Sequence, residues 1–389
     1  MLPDLNHLLD TDTIAIKKEV RKFCDKHIVP ISQDIDQQNK TPYELWPLLG
    51  ELGLLGLTAP SAYGGSALGY LQHVVVMQEI SRASASIGLS YAAHSNLCVN
   101  VLSLNATSQQ LQKYLPPLCN GKHIGALAMS ESEAGSDVVS MSLKATKSDD
   151  GFILNGAKMW ITNAPAADTL IVYAKTTPDA GSKGISAFIV EKNFDGFKVS
   201  PKLDKLGMRG SETAEITFDN CFVPKENLLG ELDRGVKVLM SGLDYERLVL
   251  SAGPLGIMQR CIEEVAPYLV QRKQFNQPIG SFQLMQAKLA DMFTEYASSL
   301  SYMYAMALKA DNKELLREEA ASVILTCAEK ATQMALQTIQ CFGGIGYCNE
   351  LIAGQLLRDA KLYEIGAGTS EIRRMLIGRE LLKKHGLVT

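Results

Sequence analysis

Residues 151–163, GFILNGAKMWITN, are rich in β-branched and aromatic side chains, which is typical of a β-strand. Similar stretches lie on both sides, separated by clusters of Gly, Asp, Asn, Pro and Ser. They are HIGALAMS (123–130), DTLIVYAKT (168–176), GISAFIVEK (184–192) and AEITFDNCFV (214–223). Because no helical pattern of about 10–15 residues separates them, they predict an antiparallel sheet or barrel rather than a doubly wound α/β fold.

The sequence on either side of this β region has helical periodicity. Apolar residues recur at helical intervals from Thr11 to His27 and again from about Tyr70 to Leu104. Four further helical segments follow from about Leu232 to near Lys384. We therefore predict an α+β fold with three domains. They are an N-terminal helical domain (1–122), a middle antiparallel β domain (123–230) and a C-terminal four-helix domain (231–389).

Composition excludes several classes of function. The 389 residues carry a net charge of −4, which gives no electrostatic argument for binding nucleic acid or an anionic membrane. No apolar run approaches the roughly 18 residues of a transmembrane helix, so no membrane insertion is expected. The eight cysteines form no CxxC pair and are predicted to be reduced, and the six histidines have no spacing that predicts a metal site.

The first residues, MLPDLNHLLD, resemble neither a secretory signal nor an Arg-rich transit segment. The sequence therefore predicts a cytoplasmic bacterial protein, or a protein of the mitochondrial matrix if the chain is already processed. Common enzyme motifs are also absent: there is no G-x-x-x-x-G-K-[ST], no complete G-x-G-x-x-G and no G-x-S-x-G. A P-loop enzyme, a Rossmann enzyme and an α/β-hydrolase are therefore disfavoured.

One charged residue lies on an apolar helical stripe. In LMSGLDYERLVLSAG (239–253), the residues on this stripe are Leu239, Leu243, Glu246, Val249, Leu250 and Gly253. A carboxylate facing a core is rare unless it is paired or functional. Burial would raise the pKa of Glu246 and make it a better base near neutral pH, although a buried salt bridge explains the stripe equally well. Asp244 and Arg247, one turn apart on a neighbouring face, are predicted to pair.

Three more segments combine small, hydroxyl or aromatic residues in a way that suits a ligand site. LAMSESEAGSDV (127–138) places small residues at a strand end, Trp160-Ile161-Thr162 offers an aromatic face beside a hydroxyl, and KLYEIGAGTSEIRR (361–374) contains a small-residue turn before a capped helix. Taken singly, a plain β-turn, a core tryptophan and an ordinary capped loop explain these segments as well.

In chain order, AMSESEAGSDV, KMWITN, LDKLGMRGSE, LDYERLVLSAGPLG, QCFGGIGY and RDAKLYEIGAGTSEIRR resemble the acyl-CoA dehydrogenase family from about residue 11 to the end. LSYAAHSNLCVN (89–100), MSGLDYERLVLSAGPLG (240–256) and YEIGAGTSE (363–371) resemble its isovaleryl-CoA branch. The resemblance implies a homotetrameric FAD flavoprotein of leucine degradation. It implies oxidation of isovaleryl-CoA to 3-methylcrotonyl-CoA: a base removes the α-proton, flavin N5 takes the β-hydride, and an electron-transferring flavoprotein accepts the electrons.

The resemblance also assigns residues to roles. Most family members carry their base directly before the GTS turn, where this chain has Ala367; the isovaleryl branch carries it at the position of Glu246. The backbone N–H of Ala367, with a ribityl hydroxyl of FAD, would polarise the thioester carbonyl. The implied FAD contacts are Leu127, Ala128, Met129, Ser130, Glu131, Ser132, Glu133, Ala134, Gly135, Ser136, Trp160, Ile161, Thr162, Thr369, Ser370 and Glu371. Those reaching the FAD of a neighbouring subunit are Arg272, Gln283, Gln340, Cys341, Phe342, Gly343 and Gly344.

The implied acyl-CoA contacts are Ser136, Ser182, Lys183, Asp244, Tyr245, Glu246, Arg247, Leu89, Gly366, Ala367 and Gly368. Lys237 departs from the isovaleryl pattern, which has a Tyr at this position.

Other functions remain open at this point. The acyl preference could be 2-methylbutyryl, isobutyryl or butyryl, whereas a glutaryl preference is disfavoured because GLSYAAHSNL (88–97) contains no Arg to pair a distal carboxylate. The remaining alternatives are an oxidase and a non-catalytic scaffold that binds acyl-CoA or flavin.

Overall fold

The computed structural model describes residues 5–387; residues 1–4 and 388–389, which the predicted outer domains include, lie outside the described residues. The first part of the chain is helical. Its helices are α1 (Thr11–His27), α2 (Ser32–Gln38), α3 (Leu45–Glu51), α4 (Tyr70–Ala83), α5 (Ala85–Ala92), α6 (Val101–Asn105) and α7 (Ser108–Cys119), with a π-helical segment, Ala93–Asn100, between α5 and α6. The continuous pattern predicted from Tyr70 to Leu104 is interrupted at Ser84, whose backbone is extended.

The middle part is a sheet. Its strands are β1 (Gly125–Ala128), β2 (Lys144–Lys147), β3 (Gly151–Thr162), β4 (Thr169–Lys175), β5 (Ile185–Glu191), β6 (Phe197–Val199), β7 (Thr213–Pro224) and β8 (Leu228–Leu229). The strand order is β6-β7-β3-β2-β4-β5-β8, and β1 pairs with β4. The predicted antiparallel pairing holds for most of the sheet, but β1 and β2 pair with β4 in parallel. Parallel pairing is possible here because the chain between β1 and β4 is long enough to return in the same direction.

The last part is helical again. It contains α8 (Gly235–Gln271), a short hairpin of β9 (Lys273–Gln274) and β10 (Gln277–Pro278), α9 (Gln283–Asp311), α10 (Arg317–Phe342), α11 (Ala353–Leu362) and α12 (Ser370–Lys384). The last of the four predicted segments is therefore two helices. The chain breaks at Ala367 and Gly368, whose φ angles of 55° and 90° lie in the left-handed region and cannot continue a helix.

α8 joins the three parts of the molecule. It packs against α4, α5 and the π-helical segment on one side, against α9 and α10 on another, and against β5 of the sheet. A second junction lies at α11, where the Asp359 carboxylate accepts a hydrogen bond from the Met208 N–H of the β domain at 2.5 Å. The start of α8 thus lies against the sheet at Ser186 and Ala187, and its later turns lie against helices.

All eight cysteines are free, and seven of them are buried. Within residues 5–387, no His, Cys, Asp and Glu side chains group in a way that could hold a metal ion. No helix in the described part of the chain combines the length and the apolar character that crossing a membrane requires.

Candidate active site

Glu246 lies in α8 with its side chain partly buried beside Val249 and Leu250. Burial raises the pKa of Glu246 to about 7, and the positive charges of Arg247 and Arg373 oppose part of this rise. No Lys, Arg or His among residues 5–387 lies within 4.0 Å of its carboxylate. The structure therefore does not support a buried salt bridge, and Glu246 is a desolvated carboxylate with a pKa near neutrality, as the apolar stripe predicts.

The turn between α11 and α12 carries Gly366, Ala367 and Gly368. Ala367 has a φ of 55°, a conformation that an L-residue adopts at some cost and that persists where its surroundings enforce it. In the described structure the Ala367 N–H donates to no protein acceptor. The Thr369 hydroxyl accepts a hydrogen bond from the Ile372 N–H at 3.3 Å and caps α12. This turn therefore presents a free backbone donor next to the start of a helix.

Trp160 projects from a bulge in β3. The register between β3 and β7 shifts between Lys158 and Ile161, and Trp160 has a φ of 61° with 52% of its surface exposed. A bulky residue with positive φ is an outlier, and such strain concentrates at ligand sites. Trp160 is therefore not a core tryptophan. Its exposed indole is available to a flat aromatic ligand.

Hydrogen bonds to the Glu131 side chain hold the loop after β1 in place. The Glu131 carboxylate accepts hydrogen bonds from the Ser142 N–H at 2.6 Å, the Leu143 N–H at 3.0 Å and the Lys158 ammonium at 2.9 Å. Lys158 also donates to Met129 O at 2.9 Å. These partners fix the path of the loop, while Ser132, Glu133, Gly135 and Ser136 stay exposed.

Three domain families match consecutive parts of the chain: the acyl-CoA dehydrogenase N-terminal domain (residues 10–122), middle domain (126–221) and C-terminal domain (233–382). The chain belongs to the acyl-CoA dehydrogenase family. The predicted resemblance and the predicted fold class, with helical, β and helical domains, are confirmed.

Individual relatives match almost the whole dehydrogenase chain. An isovaleryl-CoA dehydrogenase, mitochondrial, of Solanum tuberosum is 59% identical over 97% of this chain and 92% of its own length. A 2-methylacyl-CoA dehydrogenase, mitochondrial, of the same plant is 58% identical over 97% and 92%. Among solved structures, an FAD complex of PigA is similar with a TM-score of 0.93 and 31% identity over 98% of this chain and 100% of that chain.

Some of the residues predicted to bind the cofactor have buried side chains. Ala128, Glu131 and Ala134 are buried, and the Glu131 carboxylate is fully used by protein partners. Any contact from these three to a ligand is therefore left to the backbone. Ser370 is likewise buried, with its N–H bonded to Glu364 O at 2.9 Å, whereas Glu371 on the same turn of α12 is exposed.

The predicted Asp244–Arg247 pair is present, with Arg247 Nη1 2.9 Å from Asp244 Oδ1. Arg317, at the start of α10, approaches the same carboxylate at 3.8 Å. Tyr245 stacks on Tyr70 with ring centroids 4.3 Å apart and planes inclined by 2°. The predicted acyl-CoA contacts on α8 therefore have partners from α4 and α10 that sequence patterns did not identify.

Two other predicted acyl-CoA contacts come from the β domain. Ser182 and Lys183 are exposed on the 3₁₀ segment Pro178–Gly184, which adjoins both the Val138–Ser140 turn and α8. The loop after β1 and the loop before β5 thus adjoin each other, and the loop before β5 also adjoins α8. Leu89 is partly buried on α5, which packs against α8 and α11.

The residues predicted to reach a neighbouring subunit lie mostly on the surface. Arg272, Gln283, Gln340, Gly343 and Gly344 are exposed, whereas Cys341 and Phe342 are buried. Large apolar side chains are exposed beside them in the sequence: Phe275 (88% exposed), Leu284 (80%) and Tyr347 (91%). Tyr268 links the end of α8 to the end of α10, since its hydroxyl donates a hydrogen bond to Phe342 O at 3.2 Å.

Proposed function

We propose that this chain catalyses the FAD-dependent α,β-dehydrogenation of isovaleryl-CoA to 3-methylcrotonyl-CoA, with Glu246 as the catalytic base. The observation that carries this proposal is an unpaired carboxylate with a pKa near 7 in a chain that has Ala at position 367. The 59% identity to an isovaleryl-CoA dehydrogenase over 97% of the chain supports the substrate.

Glu246 has the properties that removal of a weakly acidic α-proton requires. A base works best when its pKa is near the working pH, and a positioned base contributes roughly 10²–10⁴-fold in rate. Burial removes water from the carboxylate and raises its pKa. A carboxylate raised to about 7 accepts a proton more readily than an ordinary one while staying largely ionised at a slightly alkaline pH.

Ala367 would provide the hydrogen bond that stabilises charge on the thioester oxygen. Its N–H has no acceptor in the described part of the protein and is fixed in a turn. A preorganised donor of this kind is worth roughly 10²–10³ in rate in mutational comparisons. The methyl group of Ala367, where most family members have Glu, leaves room for a branched acyl chain beside Leu89 and Gly366.

Three parts of the chain fit FAD. The exposed indole of Trp160 suits a flat ring, Ser132 and Ser136 offer hydroxyl donors on an open loop, and the start of α12 at Thr369 presents the positive end of a helix dipole to an anionic or polar group. FAD, when bound, supplies the hydride acceptor for the β-hydrogen. The protein's own contribution is to hold the loop after β1 rigid through Glu131 and Lys158 and to keep Ile161 and Thr162 in place.

Acyl-CoA binding is assigned to α8 and to loops of the β domain. Asp244 and Arg247 form an ion pair on α8, Tyr245 is stacked on Tyr70 of α4, and Ser136, Ser182 and Lys183 lie on exposed loops of the β domain. Lys237 is exposed in the first turn of α8, the helix that also carries Asp244, Tyr245 and Arg247. It would add a positive charge where the isovaleryl pattern has a Tyr.

The active protein is proposed to be a homotetramer that passes electrons to an electron-transferring flavoprotein. The exposed side chains of Phe275, Leu284 and Tyr347, next to the residues assigned to a neighbour's cofactor, support assembly. The compartment is proposed to be the bacterial cytoplasm, with the mitochondrial matrix as the alternative.

A 2-methylacyl-CoA is the second candidate substrate, because a 2-methylacyl-CoA dehydrogenase is 58% identical over 97% of this chain. Anaerobic bleaching of the flavin by isovaleryl-, 2-methylbutyryl-, isobutyryl-, butyryl- and octanoyl-CoA separates the candidates. We expect isovaleryl-CoA to reduce the flavin fastest, with graded selectivity, since one methylene is worth about 1–3 kcal/mol. Faster reduction by 2-methylbutyryl-CoA would support the second candidate, and a colourless protein would contradict both.

A further inference from the structure

The peptide group between Gly366 and Ala367 has a cation at its carbonyl end. Arg373, the fourth residue of α12, donates from Nη2 to Gly366 O at 2.7 Å and from Nη1 to Tyr363 O at 2.7 Å. The Arg373 side chain is buried, with 1% of the residue exposed. Its guanidinium therefore spans the turn from the end of α11 to the peptide whose N–H belongs to Ala367.

No carboxylate neutralises Arg373 at contact distance. Among residues 5–387, no Asp or Glu oxygen lies within 4.0 Å of its guanidinium, and its Nε–H has no hydrogen-bond partner. Buried arginines are rare unless they are paired. Burial, together with the like charge of Arg247, lowers the pKa of Arg373 to about 10, so the group stays charged at neutral pH. The backbone carbonyls of the turn are its main partners.

This arrangement changes the peptide as a hydrogen-bond donor. A hydrogen bond from a charged group is roughly twice as strong as a neutral one, and a peptide whose C=O accepts such a bond becomes a stronger donor at its N–H. The same bond fixes the plane of the peptide and thus the direction of the Ala367 N–H. It also helps to hold Ala367 at its φ of 55°.

We propose that Arg373 is a positioning residue that orients and polarises the Gly366–Ala367 peptide so that its N–H can bind the thioester carbonyl oxygen of the substrate. This inference rests on the proposed function, which assigns that N–H to the carbonyl. Arg373 itself acts through the peptide rather than by touching the substrate.

A second effect of Arg373 supports the same role. Its positive charge lowers the pKa of Glu246 and so favours the carboxylate form that accepts the proton. The groups whose charges act on Arg373 are Glu246 and Arg247 of α8, Glu329 of α10 and Glu364 after α11, and the charge of Arg373 in turn opposes the rise in pKa that burial causes at the Cys327 thiol. Tyr173 of β4 also lies in the field of Glu246. Removing the charge of Arg373 should therefore raise the pKa of Glu246.

The experiment compares Arg373→Met and Arg373→Lys with the control Arg374→Met in the FAD-loaded protein. Arg374 is the next residue and is exposed in an ion pair with Glu329 at 2.6 Å, so it tests loss of an arginine from the same helix. The first readout is the carbonyl stretching band of bound 3-methylcrotonyl-CoA, measured by Raman or infrared difference spectroscopy. The second is the rate of flavin reduction by saturating isovaleryl-CoA as a function of pH.

For Arg373→Met we expect the carbonyl band to move back toward its solution position and the reduction rate to fall by about tenfold or more, short of the loss of a whole donor. The acid limb of the rate profile should move to higher pH. Arg373→Lys keeps the charge but cannot span two carbonyls, so its band should move part of the way while the acid limb stays. Arg374→Met should match the wild type in both readouts.

A wild-type band and rate in FAD-loaded Arg373→Met would overturn the inference. If Arg373→Met does not retain FAD, Arg373→Lys decides, and a wild-type band in that variant would overturn it. Failure of the proposed function has a different signature: the wild-type protein would itself show no displaced carbonyl band and no reduction by isovaleryl-CoA.

Discussion

The Lys158 ammonium donates to the Glu131 carboxylate at 2.9 Å, and both side chains are buried. The pair joins β3, two residues before the bulged Trp160, to the loop after β1. Because Glu131 also accepts hydrogen bonds from the Ser142 and Leu143 N–H groups, one ion pair fixes three segments around the proposed flavin site. Burial lowers the pKa of Lys158 to about 8 and Glu131 opposes the shift, so the ammonium depends on its partner to stay charged.

Lys158→Met should lower the thermal midpoint and the flavin content together. Removal of one partner leaves a buried, uncompensated carboxylate, which typically costs about 3–5 kcal/mol. Thermal unfolding and the ratio of flavin to protein absorbance measure the two effects. Lys147→Met, at an exposed position of β2, is the control. The double variant Lys158→Met with Glu131→Leu should recover part of the midpoint, and an unchanged single variant would contradict the bracing role.

The β strands were predicted well from sequence and the details of the site were not. The stretch 151–163 forms β3 from Gly151 to Thr162, because its β-branched and aromatic residues suit a pleated, half-buried surface. The bulge at Trp160 could not be predicted, since it depends on the register with β7. Arg373 and Lys158 were missed because their partners are backbone carbonyls or residues of other segments. A lone charged residue in an otherwise apolar or small-residue stretch is the signal that could have found Lys158.

The burial and raised pKa of Glu246 could be predicted because the signal in the sequence is local. A single carboxylate on a helical apolar stripe indicates burial before any tertiary contact is known, and the pKa of about 7 agrees with that. The parallel pairing of β1 with β4 is not local in this sense. It depends on the return path of the chain through β2 and β3, which periodicity does not encode.

The stability of the protein should depend on pH through Glu246. Its pKa in the folded protein is raised from 4.5 to about 7, so the folded state binds more protons than the unfolded state between these values. The free energy of unfolding should therefore fall as pH rises from about 4.5 to 7, by up to about 3 kcal/mol from this group. Glu246→Gln cannot ionise and should lose this dependence. Thermal midpoints of both proteins from pH 5 to 8 test it; parallel curves would contradict it, and Glu264→Gln on the same helix is the control.

Moving the carboxylate should restore part of the activity. Glu246→Gly removes the proposed base, and Ala367→Glu in the same chain places a carboxylate where most family members carry theirs. We expect the double variant to reduce its flavin faster than Glu246→Gly alone, measured with isovaleryl-CoA and with butyryl-CoA. The unbranched substrate is included because the new side chain fills space left for the methyl branch. Reduction no faster than that of Glu246→Gly with either substrate would contradict the idea that both positions serve one proton.

The holoprotein should be a tetramer with one FAD per chain. Phe275 is 88% exposed on the hairpin after α8, beside Arg272, and burying it in an interface would remove apolar surface from water. Phe275→Asp should therefore yield smaller assemblies with less flavin, measured by size-exclusion chromatography with light scattering. Leu52→Asp changes an exposed leucine after α3 and should leave the assembly intact. A stable wild-type monomer with full FAD and activity would contradict the shared site.

Glu246→Gln tests the central claim most directly, because it keeps the shape of the side chain and removes the electron pair that accepts the α-proton. The measurement is the rate of anaerobic flavin reduction by saturating isovaleryl-CoA in protein with full FAD content and unchanged binding of 3-methylcrotonyl-CoA. We predict a loss of at least about 10²-fold, the lower bound for a positioned base. Reduction at the wild-type rate, with FAD fully bound, would contradict the assignment of Glu246 as the base.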